Sequence, residues 1–536
     1  MKAFLLYPDR DFDPTLLLSR RDKASHQRHK DPALDLRHAL PWNHADITQD
    51  LGLDIVLRAM SADDEFVFEA AMVGLLGGTS DTQTIRYRQD VLRDVLKQRA
   101  VAREMYNITV EALKGERTHH WVSFGRYPTG TLHHAVEVLE VFVASLRKLR
   151  NLADQHVAKC HSEGFSRLFA MLQSELDDRY FALIDQHLKR LKFKGGILIS
   201  TSLGRGSKAT GYVLRRPHRD GRGWLARVLS RSEGYTFHLH PRDEAGTQAL
   251  SELKDQGVNL VANALTQSMD HISSFFQMLR TELAFYVGCL NLHERLEELS
   301  VPSCLPEAEP LGGQILSFSH LYDVGLALSM NGRPVGNDLL ATGAQLIVIT
   351  GANTGGKSTF LRSLGLAQLM LQAGMFVGAS AFCAEVRNGV FTHFKREEDA
   401  AMESGKLDEE LSRMNELVEH LRPGSMLLLN ESFATTNERE GSEIARQITT
   451  ALLERGIKIC YVTHLYEFAC RLHESRLTDC KFLRAERLPD GTRTFRLVEG
   501  EPLQTSYGED LYEKVFGPGV STTPLVRETA LANSDS

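Results

Sequence analysis

Up to about residue 300, apolar side chains recur at intervals of three and four, the period of a helix that buries one face. Leu51, Leu53, Ile55, Val56 and Met60, then Phe66, Phe68, Met72 and Leu75 ahead of Gly77-Gly78, then Tyr87, Val91, Leu92, Val95 and Leu96 predict a helical block over 46–127. Two long helices are predicted over 131–192. One carries Leu132, Val136, Leu139, Phe142, Val143, Leu146 and Leu149, and the other Phe165, Leu168, Phe169, Leu172, Leu176, Phe181, Ile184 and Leu188. The helical period returns from Thr247 to Leu299. Between these stretches, over about 194–240, it gives way to short β-type runs at 197–199, 212–214, 225–229 and 235–240, separated by Gly, Ser, Pro and Asp. Strands flanked by long helices read as a stalk with a tip.

Pro302 and the Pro306 to Pro310 stretch mark a boundary, after which strands and helices alternate. Strands are expected at 314–318, 345–350, 425–430 and 457–463, with β-type runs around 376–395, and helices at 357–373, 401–421 and 438–455. Buried apolar strands alternating with helices imply a doubly wound parallel sheet that binds its ligand at the carboxyl edge. The fold class is therefore an α/β P-loop domain at the C-terminus, preceded by an all-helical core and lever region with a small β insert. The expected organisation is a poorly ordered or loosely docked lead segment at 1–45, a helical core at 46–127 and levers with their tip at 128–300. The α/β domain follows at 301–520 and a polar tail at 521–536.

Composition narrows the picture. A chain of 536 residues calls for about three domains. No apolar run approaches the roughly 20 residues that span a bilayer, and Met1 to Asp9 lack a signal peptide's basic flank and cleavage site. The seven cysteines form no C-x-x-C pair, so a reducing, cytoplasmic setting is expected, without zinc or a disulfide framework. His26, His29, His38 and His44 lack ligand spacing and read as solvated surface. Net charge is −7, so any polyanion site must be a local patch. The tip and the helix leading to it supply one. Lys189, Arg190, Lys192, Lys194, Arg205, Lys208, Arg215, Arg216, Arg219, Arg222, Arg227 and Arg231 face the single acid Asp220, with Tyr212 and Trp224 available for stacking. A basic loop that only keeps the tip soluble is the plainer alternative.

The chemistry concentrates after residue 345. Leu346 to Ile349 run into Gly351 to Gly356, then into Lys357, Ser358 and a helical pattern: strand, glycine loop, helix, fitting G-x-x-x-x-G-K-[ST]. The glycines let backbone N–H groups converge on anionic oxygens, Lys357 would reach the β- and γ-phosphates, and the Ser358 hydroxyl would ligate Mg²⁺. Met426 to Leu429 followed by Asn430-Glu431 resembles a Walker B strand. Asn430 brings an amide where a metal-shell carboxylate is usual, while Glu431 keeps the general-base position. Asn437 and Glu440 have capping-box spacing at a helix start, a place that favours anions. Val462-Thr463-His464 ends the next strand, where an imidazole would sense the γ-phosphate.

Together, Gly-Ala-Asn-Thr-Gly-Gly-Lys-Ser-Thr at 351–359, Pro-Val-Gly-Asn-Asp-Leu at 334–339, Asn430-Glu431 with Thr436 and Gly441, Thr463-His464 and Ser506-Tyr507-Gly508 resemble the MutS family of DNA mismatch-repair ATPases. The likeness is tight over 315–520 and looser over 46–300. It implies an ABC-type ATPase that pairs as a dimer, a homodimer through its ATPase domains. Gly351, Asn353, Gly355, Gly356, Lys357, Ser358 and Thr359 would hold the phosphates of ATP, with Ser358 and Asn430 at the Mg²⁺. Glu431 and His464 would stand beside the γ-phosphate, and Val335 to Leu339, Asn337 among them, against the adenine. Thr435, Thr436 and Asn437 would reach the nucleotide of the partner subunit. Levers and tips, through Arg205, Lys208, Arg215, Arg216, Arg219 and Arg222, would close on duplex DNA, mismatched or branched. Three departures stand out: no N-terminal domain with the Phe-x-Glu wedge, Asn430 for the usual Asp, and no Smr domain after 520. They suggest a shortened, divergent member with slow turnover.

Two other functions remain open. One is a nucleotide-gated dimeric scaffold that turns over little ATP and recruits a protein without touching DNA. The other is phosphoryl transfer to a small acceptor, which would leave the stalk without a use.

Overall fold

The computed structural model describes residues 1–8, 40–119, 127–194, 196–215, 238–240, 242–352, 355–396, 405–475, 479–488 and 492–502. Asn353, Arg216, Arg219, Arg222, Trp224, the strand runs at 225–229 and 235–237, His26, His29, His38 and Ser506-Tyr507-Gly508 lie outside the described residues. The chain forms two compact units. The first comprises 1–44, 53–308 and 369–377, and the second 45–52, 309–368 and 378–536. No helix among the described residues is long and apolar enough to cross a membrane.

Helix α1 (His44–Leu51) opens the elements, and its residues from Ala45 count with the second unit. Its periodicity runs on into α2 (Leu53–Ser61), but Gly52 at φ +65° separates them. The first unit holds α2, α3 (Glu65–Leu76), α4 (Thr82–Lys97), α5 (Arg99–His119), α6 (Pro128–His156), α7 (Glu163–Glu175) and α8 (Asp178–Leu191). The single long helix expected from Phe165 to Leu188 is two helices. Asp177 accepts from the Tyr180 N–H at 2.6 Å and so caps a new helix where the apolar stripe continues.

After strands β1 (Leu198–Leu203) and β2 (Ala209–Arg215), α9 runs 55 residues from Glu244 to Glu298. Its C-terminal half is core, with Phe275, Phe276, Leu279, Leu283, Phe285, Tyr286, Cys289 and Leu290 all buried against α2, α3, α5 and α6. The Arg280 guanidinium, 2% exposed, lies 3.8 Å over the Phe66 ring. The first eight residues are not loosely docked as the sequence suggested. Ala3, Leu5 and Leu6 are buried, the Leu5 and Leu6 N–H groups each donate to the Glu282 carboxylate at 2.8 Å, and Tyr286 OH donates to Leu5 O at 2.9 Å. The expectation followed the mixed charges that come after this short apolar run. At the tip, β1 and β2 pair antiparallel. Phe193, Ile197 and Leu214 pack on Leu132 of α6 and on Val258 and Ala262 of α9.

Strand β3 (Glu307–Glu309) lies where the chain passes to the second unit. There β4 (Leu316–Leu321) and α10 (Val324–Met330) precede β5 (Asn337–Leu340), β6 (Leu346–Thr350), α11 (Lys357–Ala373, whose residues from Leu369 count with the first unit), β7 (Ala381–Glu385), β8 (Val390–Phe394) and α12 (Lys406–His420). Then come β9 (Met426–Asn430), α13 (Glu438–Glu454), β10 (Lys458–Val462), α14 (Tyr466–Glu474), β11 (Cys480–Arg487) and β12 (Arg493–Glu499). The main sheet has the order β12-β11-β6-β10-β9-β8, parallel throughout except for the antiparallel edge strand β12. Strands β6, β8 and β10 are buried along their whole length, and in β6 this matches the unbroken apolar run Leu346 to Ile349. The 314–318 run expected in this alternation belongs instead to a second sheet, where β4 pairs antiparallel with β5 and β7. Its burial alternates, as a sheet with one wet face requires.

Candidate nucleotide site

Three neighbouring parallel strands, β6, β10 and β9, end side by side, and each delivers one part of the site. At the end of β6, Gly351 takes φ +123° and Gly356 φ +89°, conformations other side chains rarely adopt. Space demands glycine as well. A Cβ on Gly351 would lie 2.9 Å from the Ala485 Cβ, and one on Gly355 2.7 Å from it, while one on Gly356 would meet Phe495 O at 3.2 Å. The turn therefore sits tightly against the β11–β12 hairpin and delivers the chain into α11.

Lys357, the first residue of α11, is 4% exposed, and its Nζ donates to Gly351 O at 2.8 Å and Ala352 O at 2.9 Å. Burial lowers its pKa to about 8, against a smaller opposing pull from Glu431. No carboxylate among the described residues forms an ion pair with it, so the buried cation is satisfied only by dipoles of its own loop. An anion entering the loop would relieve that desolvation. Ser358 follows, its Oγ donating to Asn430 Oδ1 at 2.9 Å, and Thr359 sits in the same first helical turn.

Glu431 comes directly after β9 at φ +57°, its N–H donating to Val462 O at 2.8 Å. This places its Oε1 2.9 Å from Nε2 of His464, which follows β10. The hydrogen bond from His464 holds the Glu431 carboxyl below its usual range against desolvation, with help from Lys357 and Lys395. Both side chains remain partly open, at 29% and 25% exposure, so water can reach the carboxylate.

Beyond this lies the N-terminus of α13. Asn437 Oδ1 accepts the Glu440 N–H at 2.9 Å, and Glu440 Oε2 in turn accepts from Asn437 Nδ2 at 3.1 Å and from the Thr436 hydroxyl. Thr435 Oγ1 instead donates inward, to Glu410 Oε2 at 3.0 Å. Gly441 is fixed by this packing, since a Cβ there would meet Phe433 O at 2.4 Å.

The 335–339 segment divides. Val335 is 41% exposed, whereas Asn337 is 7% exposed and its Oδ1 accepts the Leu497 N–H of β12 at 2.8 Å. Asn337 thus ties β5 to the hairpin that backs the glycine loop. Sequence reasoning missed Ala485, Phe495, Glu410 and His393. None carries a local motif, and only the glycine spacing hinted that something must press on the loop.

Residues 80–299 match the family described as MutS2 N-terminal domain, and residues 347–521 match MutS domain V. The chain belongs to the MutS family. Endonuclease MutS2 of Lacticaseibacillus paracasei is 27% identical over 317 residues, covering 55% of this chain and 38% of that protein. Endonuclease MutS2 of Thermus thermophilus is 34% identical over 121 residues, 23% of this chain and 16% of that protein. DNA mismatch repair protein MutS of Thermotoga maritima is 32% identical over 165 residues, 31% of this chain and 21% of that protein. The chain thus spans well under half the length of these curated relatives. In this MutS-family chain, domain V is the P-loop ATPase domain, and it takes in the glycine loop, the β9 terminus, His464 and the β11–β12 hairpin.

The residues present suit a Mg²⁺–nucleotide. Glycines at 351, 355 and 356 let the loop close on the hairpin, the Lys357 ammonium lies buried on the loop's own carbonyls, and the Ser358–Asn430 pair supplies the hydroxyl and amide oxygens a hard cation takes. Among the described residues no three His, Cys, Asp or Glu side chains converge as a metal site, so such an ion would depend on phosphate oxygens.

Proposed function

We propose that this chain binds and hydrolyses ATP at residues 351–359, as one half of a homodimer whose nucleotide state gates a clamp on duplex DNA, mismatched or branched. The observation that carries the reading is the convergence of buried Lys357, the Ser358–Asn430 pair and the Glu431–His464 pair at the ends of three adjacent strands. Lys357 turns from its carbonyl partners to the β- and γ-phosphates. Glu431 polarises the attacking water, and His464 holds that carboxylate in place. Mg²⁺, held through Ser358 and Asn430, neutralises phosphate charge when bound. The N-terminus of α13, with free N–H groups next to Thr436 and Asn437, serves the γ-phosphate of the partner subunit. Thr435 contributes only after releasing Glu410, since its hydroxyl proton is committed there. DNA falls to the exposed cations at Arg205, Lys208 and Arg215.

Asn430 favours a second reading, a nucleotide-gated scaffold with little turnover that recruits a protein partner. Its neutral amide accepts from Ser358 where a carboxylate would add charge to the metal site. Turnover measured with and without DNA separates the two.

Replacing Lys357 with Ala tests the common core. It removes charge-assisted hydrogen bonds of about 2–3 kcal/mol, so ATP affinity should fall by roughly 30- to 150-fold in equilibrium binding. Unchanged affinity would reject nucleotide binding at this loop.

A further inference from the structure

The turn that follows β9 is strained. Glu431 at φ +57° and Phe433 at φ +64° both sit in the left-handed region, each at a cost of about 1–3 kcal/mol, so something must hold them there. Several contacts do. Glu431 N donates to Val462 O at 2.8 Å, Tyr461 OH donates to Ser432 O at 2.7 Å, and the wholly buried Phe433 ring stacks on His393 at 5.6 Å.

At the centre is Glu410, an acid on the otherwise charged helix α12, only 5% exposed. Its Oε2 accepts both the Phe433 N–H and the Thr435 hydroxyl, each at 3.0 Å. One carboxylate oxygen thus bridges the residue two beyond Glu431 and the residue two before the Asn437 cap. Its own backbone carbonyl lies 3.1 Å from His393 Nε2, while His393 Nδ1 lies 2.8 Å from Ser432 Oγ. Burial keeps this ring neutral, and because the Glu410 carbonyl can only accept, Nε2–H is the donor to it, while the Ser432 hydroxyl donates to the His393 carbonyl at 2.7 Å. Glu410 therefore grips the turn twice, through its carboxylate and, by way of His393, through its backbone. Its other oxygen, Oε1, is buried with no hydrogen-bond partner among the described residues. Leaving a polar atom so costs stability, which argues that the carboxylate is kept for its placement rather than for packing.

We infer that Glu410 is a positioning residue for the nucleotide reaction. Its carboxylate fixes the 431–435 turn and so sets both where Glu431 stands over the glycine loop and where Thr435 to Asn437 begin the partner-facing helix terminus. The inference rests on the proposed ATPase reading and deepens it. The general base of one site and the contact to the other nucleotide are registered by one side chain, so a shift at either is felt by both.

The test uses the full chain with Glu410→Ala, Glu410→Gln and Thr435→Val. Steady-state ATP turnover is measured with equilibrium binding of a fluorescent ATP analogue. Misplacing a general base by about 1 Å lowers rates by roughly a hundredfold. E410A should therefore lose ten- to a hundredfold in kcat while analogue affinity stays within about threefold. E410Q keeps an acceptor oxygen for Phe433 N and Thr435 Oγ1 and should recover most of the turnover. T435V, which removes one of the two donors and leaves the carboxylate, should show an intermediate loss and serves if E410A does not fold. Equal losses of affinity and kcat in E410A and T435V, or no rescue by E410Q, would overturn the inference. Normal turnover in E410A overturns it alone, whereas absence of turnover in the unaltered chain overturns it together with the reading beneath it.

Discussion

At the residue scale, the site shows how burial sets charge. Lys357 and His393 lie in the same unit, and both have pKa values depressed by desolvation, to about 8 and about 4. For His393 the consequence is measurable as stability. Its pKa falls from 6.5 to about 4, burial being the largest cause and the nearby Arg413 and Arg396 adding to it. Between those values the unfolded chain binds a proton that the folded chain refuses, so stability falls as pH drops from 6.5 toward 4 and is fully present above 6.5. The loss reaches at most about 3 kcal/mol. Replacing His393 with Gln should flatten that acid limb in chemical denaturation curves taken from pH 4 to 7. An unchanged slope would show that other groups carry it. Asn430 illustrates the reverse economy. As an amide it accepts the Ser358 hydroxyl without a buried charge, and in the proposed metal role it would attract the cation less than a carboxylate.

At the element scale, the glycine loop is shaped by a hairpin more than a hundred residues further along. Ala485 on β11 nearly touches Gly351 and Gly355, so enlarging it should tilt the loop without disturbing the apolar sheet interior. Ala485→Leu should cost about 1–3 kcal/mol of overpacking. Because the loop is the compliant partner, much of this should appear as weakened ATP binding, with the melting temperature falling by a few degrees. Full nucleotide affinity in A485L would show that the hairpin is no buttress. Strand, loop and helix at 346–373 were legible because their signals lie within a few residues: an unbroken apolar run, glycines, then Lys357 and Ser358. The Asn430–Glu431 and His464 termini were legible for the same reason. Asn337 accepting the Leu497 N–H, Ala485 pressing on Gly351 and Glu410 bridging Phe433 and Thr435 were not, since each depends on pairing distant segments. Likewise the periodicity of 46–60 announced helix but not partner. Residues 45–52 belong to the second unit, where Arg396 pairs with Asp46 and Asp50, although their apolar stripe runs on toward α2.

At the scale of the whole molecule, a chain of net charge −7 repels DNA on average, so binding requires cations gathered locally and free of local carboxylate partners. At the described tip Arg205, Lys208 and Arg215 are exposed on or beside the β1–β2 hairpin. Arg215 is also held in place, its Nε donating to Ser200 Oγ at 2.9 Å. Lys192 is not free in this sense, because its Nζ pairs with Glu140 at 2.7 Å and its charge is already spent. This separates phosphate contacts from a merely soluble surface. Each cation that displaces counterions adds about 0.9 to the slope of log affinity against log salt. Replacing Arg205, Lys208 and Arg215 together with Gln should therefore flatten that slope by about 2 to 3 on branched duplex DNA, while Lys192→Gln leaves it nearly unchanged. If both variants keep the full slope, the tip carries no phosphates. If Lys192→Gln flattens it as much as the triple variant, the effect is one of overall charge, and the levers hold DNA by another surface.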